Sequence, residues 1–196
     1  MKKLKLIAAM AILLGATAPA FSIAQIGVQG NYINDTFSSG SKASGVGLGG
    51  FARFTVGIPL LITVGGGPYV DYGTLKSDQA GAADVKQLRA GAEVVVYADV
   101  IGNLIGLTPY GRFGYGYEGN TQAVLGYDIL YYGGGGHTVF GLTMKVLPMI
   151  YVFAEGGAQW SSLKPSVPSQ LSAVSSQFNE ITAQGWRASL GVMIWI

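Results

Sequence analysis

The feature that most constrains this chain is an alternation of apolar and polar residues with a period of two. Residues 86–100 show it most clearly. The apolar residues of one parity there are Leu88, Ala90, Ala92, Val94, Val96 and Ala98, and the polar residues of the other are Gln87, Arg89, Glu93, Tyr97 and Asp99. Because successive side chains of a strand point to opposite faces, this pattern predicts a β-strand with one apolar and one polar face.

Eight segments of the chain carry the same pattern. They are residues 25–34, 45–57, 61–73, 86–100, 107–118, 137–146, 150–162 and 185–196. A tilted strand crosses a membrane with about 9–11 residues. The apolar rows are broad and the polar rows are rich in glycine, which favours an apolar face toward lipid and a polar face toward a lumen. The sequence therefore predicts an all-β fold, a transmembrane, eight-stranded, antiparallel up-and-down β-barrel.

The charged residues of these segments fall almost entirely on the parity assigned to the lumen. The inward set is Arg53, Asp71, Arg89, Glu93, Asp99, Arg112, Glu118, Lys145, Glu155 and Arg187, and the exception is Lys86 at the edge of a segment. An Arg or Lys facing lipid at the middle of the bilayer would cost about 2–4 kcal/mol. The separation of charge therefore supports the same assignment of faces.

The connections between the segments alternate in length. Residues 58–60, 101–106 and 147–149 are short, whereas 35–44, 74–85, 119–136 and 163–184 are longer and polar. Outer-membrane barrels have short periplasmic turns and longer extracellular loops. We therefore expect the four long segments to be extracellular loops that could contact an external partner. An even number of strands then leaves both termini in the periplasm.

The amino terminus has the pattern of an export signal. Lys2, Lys3 and Lys5 precede an apolar run over 6–14, and small residues follow at two candidate cleavage sites, after Ala20 and after Ala24. The second is preferred, because the first strand begins directly after it. We thus expect a cleaved signal over 1–24 and one barrel domain over 25–196. The mature chain would carry nine basic and ten acidic residues, so no nucleic-acid partner is expected.

Five inward charges are predicted to lie at similar depth in the lumen. They are Arg53, Glu93, Arg112, Glu155 and Arg187. Counted from the nearest turn or terminus, they fall within a slab on the order of 10 Å deep. The interior of an eight-stranded barrel is only just wide enough for side chains. We therefore expect these residues to form a hydrogen-bonded network that fills the lumen and fixes strand register.

Taken together, the signal, the eight alternating strands and the asymmetric connections resemble small bacterial outer-membrane barrels, of the type of the OmpA transmembrane domain and its OmpX-like relatives. The carboxyl terminus departs from the usual final Phe or Trp, since Trp195 is followed by Ile196. The resemblance implies an integral protein of the bacterial outer membrane. Its expected partners are outer-membrane lipid and, during biogenesis, the barrel-assembly machinery.

The resemblance also implies what such a chain does. We expect a non-enzymatic surface protein with a largely plugged lumen and a structural or surface-interaction role. The alternative is a narrow, porin-like pore of low conductance, in which the luminal Arg and Glu residues exchange partners and act as a gate. In that case neutralising Glu93 or Glu155 should change the ion flux.

A lipid A-modifying enzyme is the third alternative, because a few small barrels have that activity. His137 is the only histidine of the chain. Barrel deacylases carry a Ser two residues from the His, whereas position 139 here is Val. We expect His137 to be an exposed residue at the barrel rim, beside the glycines at 133–136. No catalytic, cofactor-binding or metal site is expected.

One group of apolar and aromatic residues in the predicted loop 119–136 is a candidate contact patch. Its members are Tyr127, Ile129, Leu130, Tyr131 and Tyr132. An apolar loop tip outside the membrane could bind a partner. Alternatively, Tyr131 and Tyr132 could belong to the aromatic girdle at the membrane interface. The sequence leaves these two alternatives open.

Overall fold

The computed structural model describes residues 22–58, 61–79, 82–124, 126–171 and 178–196 as one closed antiparallel barrel. The strands are β1 (Ser22–Phe37), β2 (Lys42–Ile58), β3 (Ile62–Ser77), β4 (Val85–Tyr97), β5 (Thr108–Val124), β6 (Tyr127–Leu147), β7 (Ile150–Ser166) and β8 (Ile181–Trp195). Each strand pairs with the next, and β1 closes the ring against β8. The predicted fold class and all eight predicted strands are confirmed.

The alternation along each strand separates the two faces as predicted. On β2, Leu48 and Phe54 share one parity and are 74% and 71% exposed. Arg53 has the opposite parity and is 3% exposed. Apolar side chains thus form the outer surface and polar side chains the interior. A barrel in water would have the reverse arrangement, so the outer surface is suited to lipid.

Two of the charges predicted to point inward are not buried in the lumen, Lys145 and Asp99. Lys145 is exposed near the end of β6; it still pairs in register with Tyr151, and the pairing of β6 with β7 shifts only beyond it, between Lys145 and Leu147. Asp99 begins a short helix, α1 (Asp99–Ile105), instead of continuing β4, and it accepts a hydrogen bond from Thr63 Oγ1 at 2.6 Å. Both lie at strand ends, where the period of two stops.

The strands extend further than predicted toward the end with the long connections. Residues 119–136, predicted as a loop, belong almost entirely to a hairpin in which Val124 pairs with Tyr127. The connections predicted as 35–44 and 74–85 shrink to 38–41 and 78–84. These predictions were wrong because a polar segment need not be a loop. Asp35 and Asn120 are polar strand residues that are buried in the lumen.

The short connections and both described chain ends lie at the opposite end of the barrel. Ala24 and Ile196 exchange backbone hydrogen bonds of 3.0 and 2.8 Å. Helix α1 ends at Gly106, whose left-handed φ of 74° lets its N–H bond to the Gly102 carbonyl oxygen. In the described part of the chain, no helix is long and apolar enough to span a membrane.

The predicted signal peptide lies mainly outside the described residues, which start at Ser22. Strand β1 begins there and pairs Ser22 to Ala24 with Val56 to Phe54 of β2. Cleavage after Ala24 would remove these three residues of β1, whereas cleavage after Ala20 would retain them. Both cleavage sites stay predictions.

Candidate functional site in the barrel lumen

Four of the five predicted network residues meet in the lumen and form the Glu93 cluster, which consists of Arg53, Glu93, Arg112 and Glu155. Arg53 contacts Glu93 Oε1 through Nε and Nη2, both at 2.6 Å. Arg112 donates to Glu93 Oε2 at 2.9 Å through Nη1 and to Glu155 Oε1 through Nη2. Glu93 therefore contacts two arginines, Arg112 bridges two carboxylates, and the two charges of each sign balance.

Two tyrosines add hydrogen bonds to the Glu93 cluster. Tyr110 donates to Glu155 Oε2 at 2.8 Å, and Arg53 Nη1 donates to the Tyr97 hydroxyl oxygen at 3.2 Å. Glycine creates the space for the first of these bonds. A Cβ at Gly141, which lies between Tyr110 and Glu155 in the sheet register, would be 2.7 Å from the Tyr110 ring and 2.8 Å from Glu155 Cβ.

Arg187 does not join the Glu93 cluster as predicted. It pairs with Asp71 at 3.0 Å and donates to Asn31 Oδ1 at 3.0 Å. Asp71 also accepts hydrogen bonds from Gln29 and Asn31, both at 3.0 Å. Asp71 was missing from the predicted network, although its inward parity was a usable signal. The depth of Arg187, counted along one strand, cannot show which residue Arg187 contacts across the lumen.

A third group of charges lies nearer the long connections. Arg89 pairs with Glu118 at 2.7 Å and donates to Gln159 at 2.6 Å, and Gln159 in turn donates to Asp35 at 2.6 Å. Sequence reasoning missed this group because Asp35 was assigned to a loop and Glu118 to a strand end. The pairing of Arg89 with Glu118 across β4 and β5 is directly in register.

His137 lies inside the barrel and not at an exposed rim, so that prediction was wrong. Its side chain is fully buried, with Nε2 3.7 Å from Glu93 Oε2 and its ring 5.0 Å from the edge-on ring of Tyr69. The physical reason is that β6 begins ten residues before His137, so the neighbouring glycines are strand residues. Inward parity then places the imidazole in the lumen.

Gly114 on β5 provides the space that His137 occupies, which gives a first prediction. A Cβ on Gly114 would overlap the imidazole, with Nε2 at 2.7 Å. We expect Gly114→Ala to lower the free energy of unfolding by about 1–3 kcal/mol, the usual cost of overpacking. Urea unfolding of the refolded protein in vesicles measures this. Gly111→Ala, where the nearest atom is 3.4 Å away, is the matched control and should change stability by less than about 0.5 kcal/mol.

Apolar residues enclose the charged groups at both ends. Toward the chain termini the aromatic rings of Phe51, Tyr97, Tyr110 and Phe153 cluster, and the Arg53 guanidinium lies 3.6 Å from the centroid of Phe51. Toward the long connections lies an apolar collar, formed by Ile33, Ala43, Leu75 and Val85. Apolar side chains thus lie beyond the Glu93 cluster toward the chain termini, and on the side formed by β1 to β4 toward the long connections.

The predicted contact patch is divided between the two faces of β6. Ile129 is fully buried in the interior and Tyr131 is half-buried, whereas Leu130 and Tyr132 are exposed on the outer face. Tyr127, also exposed, is the first residue of the strand. The prediction of one loop tip was therefore wrong, because alternation continues through these residues. The girdle alternative fits Tyr132 but not Tyr131.

Comparison with known proteins gives a likeness in structure only. No family model and no curated protein matches the sequence. Neisserial surface protein A is 16% identical, with 87% of this chain and 96% of that chain covered and a TM-score of 0.58. OprG of Pseudomonas aeruginosa is 16% identical, covering 90% and 97%, with a TM-score of 0.47. Ail of Yersinia pestis is 12% identical, covering 88% and 99%, with a TM-score of 0.48. The chain has the fold of small eight-stranded outer-membrane barrels, as its resemblance predicted.

Proposed function

We propose that this barrel is an integral, non-enzymatic protein of a bacterial outer membrane whose lumen is closed to ions at rest. The observation that carries the proposal is the burial of every charged side chain in the three luminal groups. Their exposed fractions lie between 0% for Glu118 and 7% for Glu155. A sphere of the size of water therefore has almost no access to the groups that would line an ion path.

The energetics of these ion pairs favour a closed lumen. Removing one partner from a buried ion pair costs about 3–5 kcal/mol, because the other charge is left uncompensated. Ions could pass the Glu93 cluster only if Glu93 separated from both arginines, or if both arginines moved with it. The apolar layers above and below would have to open as well.

A narrow gated pore is the second candidate, and one contact favours it. Arg112 binds Glu93 and Glu155 at the same time. It could therefore release Glu93 and remain paired, which lowers the cost of a partner exchange. His137, 3.7 Å from Glu93, is a further polar neighbour in that position.

The outer surface supports the proposed location. Exposed apolar residues cover the strands, and aromatic pairs lie on the same face, with ring centroids 5.3 Å apart for Tyr32 and Trp186 and 6.1 Å apart for Phe113 and Trp160. Aromatic girdles of this kind lie at membrane interfaces. Under the proposal both termini are periplasmic, lipid and the assembly machinery are the partners, and the connections at the other end are extracellular.

The burial of the only histidine supports a non-enzymatic role. His137 has no exposed surface and faces the lumen, so it cannot reach a lipid on the outer face without a large rearrangement. Acid–base catalysis requires a group within hydrogen-bond reach of the proton it transfers. A histidine-dependent modification of outer-membrane lipid is therefore not proposed.

Single-channel recording in planar bilayers tests the closed lumen. We expect refolded protein, shown to be folded by its heat-dependent gel mobility, to give no conductance steps. Glu93→Gln and Glu155→Gln are recorded beside the wild type, with Glu180→Gln at the barrel rim as the matched control. Discrete steps from the wild type, altered by the two luminal substitutions and not by the control, would replace the closed barrel by the gated pore.

A further inference from the structure

A cavity of about 430 Å³ opens at the end of the barrel opposite the chain termini. Its described walls come from the ends of seven strands, β1 to β6 and β8, and from the connections that follow β1, β3 and β7, and we call it the mouth cavity. Val85 and Ala43 line it and also belong to the apolar collar. This volume lies within the range of about 300–1,000 Å³ that is usual for small-molecule sites.

The described lining of the mouth cavity is polar but almost uncharged. Four serine hydroxyls and four carboxamides line it, together with two aromatic side chains, Phe37 and Tyr131. Glu180 is its one described ionisable carboxylate, and none of the described lining residues is Lys or Arg. Hydroxyls and carboxamides both donate and accept hydrogen bonds. Such a lining suits a ligand with many uncharged groups that donate and accept hydrogen bonds, such as hydroxyls.

Asn120 is a buried polar residue in the wall of the mouth cavity. The side chain is 2% exposed and lines the cavity, and Nδ2 donates to Glu118 Oε1 at 3.2 Å. Its carbonyl oxygen Oδ1 is buried without a hydrogen-bond partner in the described structure. A buried acceptor of this kind costs about 1–3 kcal/mol until it is satisfied.

The walls of the mouth cavity are held in place by hydrogen bonds between strands. Ser38 N donates to the Thr182 carbonyl oxygen at 2.8 Å, and Thr182 N donates to Ser38 Oγ at 3.2 Å. Ser162 donates to Glu180 Oε1 at 2.8 Å. A site that is already ordered loses little conformational entropy when it binds a ligand.

From these observations we propose that the mouth cavity is a binding site for a neutral saccharide of one or two rings. Its hydroxyls pair with the serines and carboxamides, and the apolar face of a sugar ring packs on Tyr131. An anionic sugar is disfavoured, because Glu180 repels it and no described lining cation offsets that repulsion. The proposal is independent of whether the lumen conducts ions.

Saturation-transfer NMR of the full refolded protein tests this site. The micelles are of lauryldimethylamine oxide, whose headgroup contains neither sugar nor choline. The probes are glucose, galactose, N-acetylglucosamine, maltose, lactose and sucrose, with fully sulfated sucrose as the charged counterpart and choline as a cationic probe. We expect at least one neutral sugar to bind and sulfated sucrose and choline not to bind.

Two neighbouring tyrosines on β6 provide matched variants for the same experiment. Tyr131 lines the cavity, whereas Tyr132 lies on the outer face. We expect Tyr131→Ala to weaken sugar binding about tenfold and Tyr132→Ala to leave it within about twofold.

Several results would overturn the proposal. One is the absence of binding by any neutral sugar of the panel to protein whose folding is verified by gel mobility. Another is an equal effect of Tyr131→Ala and Tyr132→Ala. Preferential binding of choline that Glu180→Gln abolishes would identify a cation site instead, and tighter binding of sulfated sucrose than of sucrose would identify an anion site. None of these results depends on the bilayer recordings.

Discussion

Glu93→Gln is expected to lower the free energy of unfolding by about 3–5 kcal/mol, the usual cost of leaving a buried charge unpaired. Glu93 contacts Arg53 at 2.6 Å and Arg112 at 2.9 Å. After the substitution Glu155 is the remaining carboxylate of the Glu93 cluster for two buried guanidinium groups. Urea unfolding in phospholipid vesicles, followed by tryptophan fluorescence, gives the difference from the wild type.

A charge-balanced double variant provides the control for this prediction. Arg53→Met combined with Glu93→Gln leaves the pair of Arg112 and Glu155 intact and removes the unpaired cation. We expect the double variant to recover at least about 2 kcal/mol of the loss, since hydrophobic replacement of a buried pair is often nearly neutral. If the double variant were as unstable as Glu93→Gln alone, the loss would come from packing and not from uncompensated charge.

Leu48→Arg is expected to lower the stability by about 2–4 kcal/mol, the cost of a cation on the lipid face near the middle of the bilayer. Leu48 lies on the outer face of β2 and is 74% exposed. The same substitution on a water-exposed surface would have almost no effect, because an arginine there stays hydrated. Unfolding in vesicles, compared with the wild type, measures the cost.

Leu104 offers a matched control on a surface that we expect to contact water. It is 80% exposed and belongs to α1, in the connection between β4 and β5. We expect Leu104→Arg to change stability by less than about 0.5 kcal/mol. Equally small effects at both leucines would mean that the outer face contacts water, and the proposed membrane location would then be wrong.

The luminal residues show how far sequence reasoning reaches into the site. Inward parity correctly selected Arg53, Glu93, Arg112 and Glu155, because parity depends only on position along one strand. It could not assign the partner of Arg187, which is Asp71. Those two residues belong to strands β8 and β3, which are not neighbours in the sheet. Their contact depends on the stagger of the closed barrel.

His137 and the mouth cavity show a second reason why sequence reasoning misplaced residues. The glycines at 133–136 and the polar residues around 119–124 have the composition of a loop, yet they form strands. Residues 119–124 of β5 pair with β4 and β6, and the glycines of β6 pair with β5 and β7. The polar side chain of Asn120 is buried in the lumen. Composition alone cannot distinguish polar residues that face water from polar residues that face a polar interior.

The sequence by itself determined the number of strands, the parity that separates the apolar from the polar face of each strand, and the class of the fold. These follow from a period of two, which is a local property of an extended chain. The tertiary structure alone decided where the strands end, which arginine meets which carboxylate, and that a polar cavity lies above the apolar collar. Closure of the sheet sets these features, because it places residues far apart in sequence at the same depth of one lumen.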